Sequence, residues 1–216
     1  MEAVIPGLYA SEPAALPFDT TLAIRAFLLQ RSDGNLLVYR ADTLERDADA
    51  VADLGGVARQ YLNHRHEASF SSNWVAEAFH APLVAHEAER AAVAESSSVD
   101  ETFSERHLLG DDFELIPTPG HTPGATAFLW DSGQHRALFT GDTIYLRRGE
   151  WVAAVLGSSD RERYIQSLEL IRGLDFDVLV PWAATAEEPF HAVVDRKEAE
   201  RRLDAILERV RAGKSH

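Results

Sequence analysis

The order of the apolar segments constrains the fold of this 216-residue chain more than any other feature of its sequence. Strand-like stretches fall into two groups, one beginning at Ala23 and one at Phe113, and helical patterns follow each group. Sheets built from such groups bury a face against helices, so the sequence predicts an α/β protein with two sheets and outer helices. Periodicity alone does not choose a topology.

The first group begins with a predicted hairpin. Two apolar stretches, 23–29 and 36–39, flank the turn-forming sequence Arg31–Asn35. Asp42, followed three residues later by an acidic residue, is typical of the capped start of a helix. The sequence therefore predicts a hairpin followed by a helix that begins near Asp42.

The second group ends in two predicted helices. Ser159 and Glu162 have the spacing of a capping box, and Gly173 marks the end of the apolar stripe that follows them. A further helix begins near Asp195, and its apolar residues recur on one face: Ala199, Leu203, Ile206, Leu207 and Val210.

Composition excludes several kinds of function. The chain has no cysteine, so disulfides, zinc–cysteine sites and thiol catalysis are ruled out, and any transition-metal site must use His, Asp or Glu. Lys and Arg number 21 against 35 Asp and Glu, which gives a net charge of −14. Nucleic-acid backbones and anionic membrane surfaces repel such a charge, so we expect neither as a partner.

Length and the N-terminal sequence set the remaining expectations. A chain of this size is predicted to form a single domain over residues 1–216. The N-terminus has no basic region followed by an apolar core, as a signal peptide would. No apolar run approaches the roughly 18–20 residues that a membrane span needs, so we expect a cytoplasmic protein.

Three segments contain residues that could bind a metal. His64 and His66 follow a short apolar strand, and in an extended segment residues i and i+2 point to the same side. His121 lies in a rigid loop with two prolines and two glycines, and Asp142 follows a strand that ends in Gly-Asp. Taken singly, the histidine pair is more typical of surface histidines and Asp142 of an Asx-turn or helix cap, and His121 could belong to a tight turn.

Together the segments N-H-R-H-E-A-S, T-P-G-H-T-P-G and F-T-G-D-T resemble the metallo-β-lactamase fold superfamily. The family has an H-x-H-x-D-H motif, a T-P-G-H-T-x-G loop, a bridging Asp in G-D and a last histidine near the C-terminus. The resemblance covers nearly the whole chain and implies a four-layer αββα sandwich with a metal site at one edge, between the sheets. It assigns four metal ligands: His64, His66, His121 and Asp142.

The chain departs from the family pattern at three ligand positions. Ala68 stands where the family has Asp, Ser69 where it has the next His, and Ala183 replaces the last histidine. In the family these groups build the second metal site. Three imidazoles and one carboxylate are enough for one divalent ion, so we expect a mononuclear site that binds zinc, with iron as the alternative.

Other residues could complete or line such a site. Glu67 is expected to point away from it in an extended segment, and Glu187, Glu188 and His191 are the substitutes that could fold back. Tyr145 and Trp182 are candidate substrate-binding residues, and ordinary packing is the alternative interpretation. Four further histidines lack ligand spacing and are interpreted as exposed or locally hydrogen-bonded: His80, His107, His135 and His216.

The expected function is that of a metal-dependent hydrolase with a reduced site, acting on a small ester, thioester or lactone, with Asp142 as catalytic residue. One alternative is an inactive, metal-free member that binds a ligand or a partner. Another is a mononuclear iron oxygenase with a face of two histidines and one carboxylate, similar to the persulfide dioxygenases of the superfamily. The sequence does not select the substrate or the oligomeric state.

Overall fold

The computed structural model describes residues 1–16, 18–40 and 42–215. The chain divides into two compact units, Met1–Ser104 (unit 1) and Glu105–His216 (unit 2). The expectation of a single domain over residues 1–216 stays a prediction.

Unit 1 combines a seven-stranded sheet with a separate hairpin, β3–β4. The sheet has the order β1-β2-β5-β6-β7-β8-β9; it is antiparallel as far as β6 and parallel from β6 to β9. The elements of this unit are β1 (Glu2–Ile5), β2 (Leu8–Ala10), β3 (Ala14–Leu16), β4 (Asp19–Ile24), β5 (Phe27–Leu29), β6 (Leu36–Val38), α1 (Ala48–Asp53), β7 (Arg59–Tyr61), α2 (Ser71–Phe79), β8 (Leu83–His86), α3 (Arg90–Val93) and β9 (Glu101–Phe103).

Helices connect the parallel strands of unit 1. Neighbouring parallel strands need crossover connections, and α1 lies between β6 and β7 while α2 lies between β7 and β8. Val51 of α1 and Val75 of α2 belong to one buried cluster with Leu28 and Leu37 of the sheet. The helices therefore bury one face of this sheet, as the order of the segments predicts.

The predicted single strand over 23–29 is wrong, because the chain changes pairing partner within it. β4 pairs with β3, whereas β5 pairs with β2 and β6. At the change, the backbone N–H of Ala26 donates to Ser11 Oγ at 3.0 Å, and the N–H of Ser11 donates to the Ala26 carbonyl at 2.9 Å. The hairpin between β5 and β6 around the Arg31–Asn35 turn is confirmed.

The predicted cap at Asp42 is also wrong. The segment begins as a 3₁₀ helix, Leu44–Asp47, and continues as α1, and neither start has a side-chain cap. The Asp42 carboxylate accepts hydrogen bonds from Arg40 at 3.0 Å and from the Ser69 hydroxyl at 2.9 Å instead. The Asp42 side chain therefore binds Arg40 and Ser69 and does not cap the helix.

Unit 2 contains a six-stranded sheet of order β10-β11-β12-β13-β16-β18, in which only the β13–β16 pair is parallel among the described strands. β14 pairs antiparallel with β15 and parallel with β17. The elements are β10 (His107–Leu109), β11 (Phe113–Pro117), β12 (Thr126–Asp131), β13 (Arg136–Gly141), β14 (Tyr145–Arg147), β15 (Glu150–Val152), α4 (Arg161–Arg172), β16 (Val178–Pro181), β17 (Ala183–Thr185), β18 (Ala192–Val193) and α5 (Arg196–Arg211).

The two helices of unit 2 pack as their apolar patterns predict. The predicted stripe of α5 is buried at every position, in one cluster with Tyr164, Leu168 and Ile171 of α4. Arg172 of α4 forms a two-pronged ion pair with Asp204 of α5, at 2.6 and 3.0 Å. No helix in the described part of the chain is long and apolar enough to cross a membrane.

Helix α4 is capped differently from the prediction. Asp160, not Ser159, occupies the cap position, and its Oδ1 accepts the N–H of Arg163 at 3.0 Å. The Ser159 hydroxyl instead accepts the N–H of Leu156 at 2.9 Å and donates to the His121 carbonyl at 3.1 Å. The predicted start of α5 near Asp195 is confirmed, and the Asp195 side chain caps the helix.

Replacing Asp160 by alanine is therefore expected to lower the free energy of unfolding by about 1 kcal/mol, because an N–H at the start of α4 loses its acceptor. Asp160→Asn keeps an acceptor and should stay near the wild-type value. Urea denaturation measures both. A comparable loss on Ser159→Ala and on Glu162→Ala, with no loss on Asp160→Ala, would instead support the predicted capping box of Ser159 and Glu162.

Candidate metal centre

The histidine pair of unit 1 lies just after β7. His64 is extended, with φ −160° and ψ 171°, but the next three residues form a 3₁₀ helix, Arg65–Glu67. The expectation of an extended H-x-H segment is therefore wrong. The two imidazole rings nevertheless come together, with centroids 5.0 Å apart and planes at 89°. His64 is buried, whereas His66 is exposed.

Glu67 is part of this turn, contrary to the expectation that it points away. Residues i and i+3 of a 3₁₀ helix eclipse one another, and Glu67 Oε1 lies 3.0 Å from His64 Nδ1. Its other oxygen accepts the backbone N–H of Asn63 at 3.0 Å. The side chains of Glu67 and His64 are both fully buried. Sequence reasoning missed this residue, because it assumed an extended backbone.

A second buried carboxylate anchors the same turn. Glu89 accepts the backbone N–H of Arg65 at 3.0 Å and its guanidinium Nη2 at 2.9 Å. The Glu89 side chain is 1% exposed, and its hydrogen bond raises the pKa of Arg65 above the ordinary value. The side chain of the central residue in H-R-H therefore turns toward Glu89.

Unit 2 brings the other two predicted ligands together. His121 lies in the loop between β11 and β12, and its Nδ1 lies 2.7 Å from the Ala154 carbonyl oxygen. A carbonyl only accepts, so the proton of this contact lies on Nδ1. His121 Nε2 lies 3.7 Å from Asp142 Oδ2. Two ligands of a tetrahedral zinc ion are separated by about 3.4 Å, so one ion can contact both atoms.

The start of α4 holds the His121 loop in place. The N–H of Asp160 donates to the Gly120 carbonyl at 2.9 Å, and the Ser167 hydroxyl donates to the Pro119 carbonyl at 2.7 Å. Gly120 has φ +143°, and a Cβ added there would lie 2.4 Å from the Tyr164 Cα. Only glycine allows this loop to approach the helix so closely.

The hydroxyl of Tyr164 connects the backbone at Asp142 and Thr143 with that of Ala154. It donates to the Thr143 carbonyl at 2.7 Å, and the Asp142 carbonyl lies 3.2 Å away. Its oxygen accepts the N–H of Ala154 at 2.9 Å. Burial raises the pKa of Tyr164 well above its ordinary value, so the phenol stays neutral. The sequence marks this residue only as part of the apolar stripe of α4.

The three departures from the family pattern offer no further strong ligand. The methyl group of Ala68 packs against a buried apolar cluster, and Ala183 is 3% exposed within β17. The Ser69 hydroxyl donates to Asp42 at 2.9 Å and lies 3.0 Å from the Ser71 hydroxyl. Methyl groups have no donor atom, and this serine is already engaged.

Three residues after β17 could in principle fold back to replace the missing ligands, but the sequence does not predict that they do. Glu187 and Glu188 are exposed after this strand. The ring of His191 contacts Phe190, with centroids 5.2 Å apart. Among the described residues, the group of potential ligands does not include these three.

The candidate substrate-binding residues are both largely buried. Tyr145 in β14 is 7% exposed, and Trp182, between β16 and β17, is 4% exposed. Their role in binding stays a prediction.

The described histidines without ligand spacing behave as expected. His80 is exposed, His107 contacts the Glu105 carbonyl, and His135 pairs with Asp177 at 2.8 Å. His216 lies outside the described residues.

Comparison with known proteins identifies the family. Residues 41–183 match the metallo-beta-lactamase superfamily, and this range is more than half of the chain. The chain therefore belongs to the metallo-beta-lactamase superfamily. No curated protein matches it.

Solved structures show the same fold at low identity. The metallo-beta-lactamase from Pontibacter korlensis is 16% identical, with a TM-score of 0.72, and 97% of each chain is covered. The DIM-1 metallo-beta-lactamase is 12% identical, with a TM-score of 0.73, over 94% of this chain and 95% of the other. A class B3 di-zinc metallo-beta-lactamase, LRA-12, from an Alaskan soil metagenome is 17% identical, with a TM-score of 0.63, over 89% and 90%. The predicted α/β metallo-β-lactamase fold is confirmed.

Gly120→Ala is expected to destabilise the protein strongly. Steric overlap with the Tyr164 backbone and a strained left-handed conformation each cost about 1–3 kcal/mol. The matched control is Gly133→Ala, which has φ +80° but nothing within 4 Å of the added Cβ, so it should cost only about 1 kcal/mol. Chemical denaturation compares the two, and equal losses would contradict the close approach.

Tyr164→Phe is expected to lower the free energy of unfolding by about 1–3 kcal/mol, because the Ala154 N–H and the Thr143 carbonyl lose a buried partner. Urea denaturation at neutral pH measures this change. A variant as stable as the wild type would show that the hydroxyl does not tie these segments together.

Proposed function

We propose that the protein is a metal-dependent hydrolase with a mononuclear site. One divalent ion, zinc, would be bound by four side chains: His64, His66, His121 and Asp142.

The donor set fits such an ion. It offers three imidazole nitrogens and one carboxylate oxygen, which are ligands that zinc binds in proteins. The observation that carries the proposal is the arrangement in unit 2. The His121 tautomer is fixed by the Ala154 carbonyl, and its Nε2 lies 3.7 Å from the Asp142 carboxylate.

A second ion has no comparable set of ligands. The three positions that supply its ligands in the family are Ala68, Ser69 and Ala183. Two of these side chains lack a donor atom, and the serine hydroxyl is bonded to Asp42. The proposed site therefore holds one ion where the relative LRA-12 is described as di-zinc.

The chemistry follows from these groups. A bound divalent ion polarises a substrate carbonyl and lowers the pKa of water to about 7. Asp142 is 20% exposed at its side chain, so it can bind the ion through one oxygen and accept a proton from water at the other. The Ala154 carbonyl keeps His121 in the tautomer that leaves Nε2 available. Tyr145 and Trp182 are proposed to contact the substrate.

The proposed substrate is a small molecule with an ester, thioester or lactone carbonyl. The net charge of −14 disfavours polyanionic substrates such as nucleic acids, and no membrane partner is proposed. We also propose that the protein acts in the cytoplasm.

Elemental analysis of protein purified without chelators tests the metal site. We expect about one equivalent of zinc, which His121→Ala should remove. His135→Ala is the matched control, because this histidine also pairs with a carboxylate, Asp177, but is not a proposed ligand. Hydrolysis of ester, thioester and lactone probes should require the metal and stop in the His121→Ala variant.

Other results would select other functions. Less than about 0.2 equivalents of any metal would overturn the proposal in favour of a metal-free binding protein. Iron as the bound metal, with iron-dependent oxygen consumption on a thiol or persulfide, would favour a mononuclear oxygenase. Full hydrolysis by metal-free protein would exclude a metal-dependent mechanism.

A further inference from the structure

We infer that Glu67 is a positioning residue for His64: its buried carboxylate holds Nδ1–H and leaves Nε2 as the metal-binding atom. The inference rests on the proposed function, because it assigns a role toward the proposed ion. It adds a residue that the H-x-H spacing does not indicate.

The backbone of the turn creates this contact. His64 is the extended residue before the 3₁₀ helix Arg65–Glu67, and such a turn brings residues three apart onto one side. In an extended strand, Glu67 would face the side opposite His64. The observed distance between Glu67 Oε1 and His64 Nδ1 is 3.0 Å, which is a normal hydrogen bond.

Burial makes the contact specific. Both side chains are fully excluded from solvent, and a buried carboxylate without donors would be costly. Glu67 is supplied with two, since Oε2 accepts the Asn63 N–H at 3.0 Å while Oε1 faces His64. A carboxylate accepts and does not donate, so the shared proton belongs to His64 Nδ1.

The two buried histidines are therefore held in the same tautomer by different acceptors. His121 donates to a neutral carbonyl, that of Ala154, whereas His64 donates to a carboxylate. A carboxylate behind a ligating imidazole raises its basicity and fixes its orientation. His66, in the same turn, is exposed. Glu67 thus makes His64 a more strongly donating ligand than an imidazole without a carboxylate behind it.

Nuclear magnetic resonance of the wild-type protein tests the tautomer without any substitution. In zinc-loaded, ¹⁵N-labelled protein we expect His64 to show a protonated Nδ1 and a zinc-shifted Nε2. Zinc on Nδ1, or a proton on Nε2, would overturn the inference. A protein that binds no zinc would instead count against the proposed function, and the tautomer of metal-free His64 would still test the contact.

A matched pair of variants tests the effect on the metal. Glu67→Gln should weaken zinc binding by about 10–100-fold, as loss of a carboxylate behind a metal-bound histidine typically does. Glu89→Gln changes the buried carboxylate that binds the backbone N–H and the guanidinium of Arg65, the residue between the two histidines. It should leave zinc affinity near the wild-type value, even where it lowers stability.

Competition with a chromophoric chelator measures these affinities, and denaturation measures the stability of each variant. Equal losses of zinc affinity in the two variants would show that Glu67 acts only through the stability of the turn. Unchanged affinity in a folded Glu67→Gln variant would also overturn the inference.

Discussion

The buried hydroxyl of Tyr164 is the contact on which the unit 2 half of the site depends. Its single proton and its oxygen lone pairs are used at once, on the Thr143 carbonyl and the Ala154 N–H. The same Ala154 residue accepts the proton of His121, and Thr143 directly follows Asp142. The neutral phenol of Tyr164 thus links the backbone next to Asp142 to Ala154, whose carbonyl orients His121. Its burial also excludes water, which would compete for each of these bonds.

Fixing a tautomer is the common physical problem in both halves of the proposed site. A neutral imidazole can bind a metal only through the nitrogen that lacks a proton, so an acceptor must hold the other one. In unit 1 that acceptor is the carboxylate of Glu67, three residues after His64. Ala68 and Ala183 stand in place of family ligands, so the proposed ion would depend on the orientation of the remaining imidazoles.

Much of the fold could be predicted from local sequence patterns. The stripe of α5 and its start near Asp195 are as expected, because both depend on residues within one helix. The failures involve partners distant in sequence. The segment predicted as one strand over 23–29 forms two strands, and Ala26 between them binds Ser11. The Asp42 carboxylate binds the Ser69 hydroxyl and does not cap the helix. Asp160 replaced the predicted cap of α4 because Ser159 bonds to the His121 loop.

Composition and motifs alone define the kinds of donor atom: without cysteine, and with His64, His66, His121 and Asp142 in family motifs, a metal site could use only imidazole and carboxylate. They also show that Ala68 and Ala183 cannot supply ligands, since alanine has no donor in any fold. Which nitrogen of each buried imidazole faces an acceptor is visible only in the tertiary structure. The acceptor for His64 is the Glu67 carboxylate, which a 3₁₀ turn brings close, and the acceptor for His121 is the Ala154 carbonyl, which is distant in sequence. Neither contact can be predicted from the residue types next to the histidines.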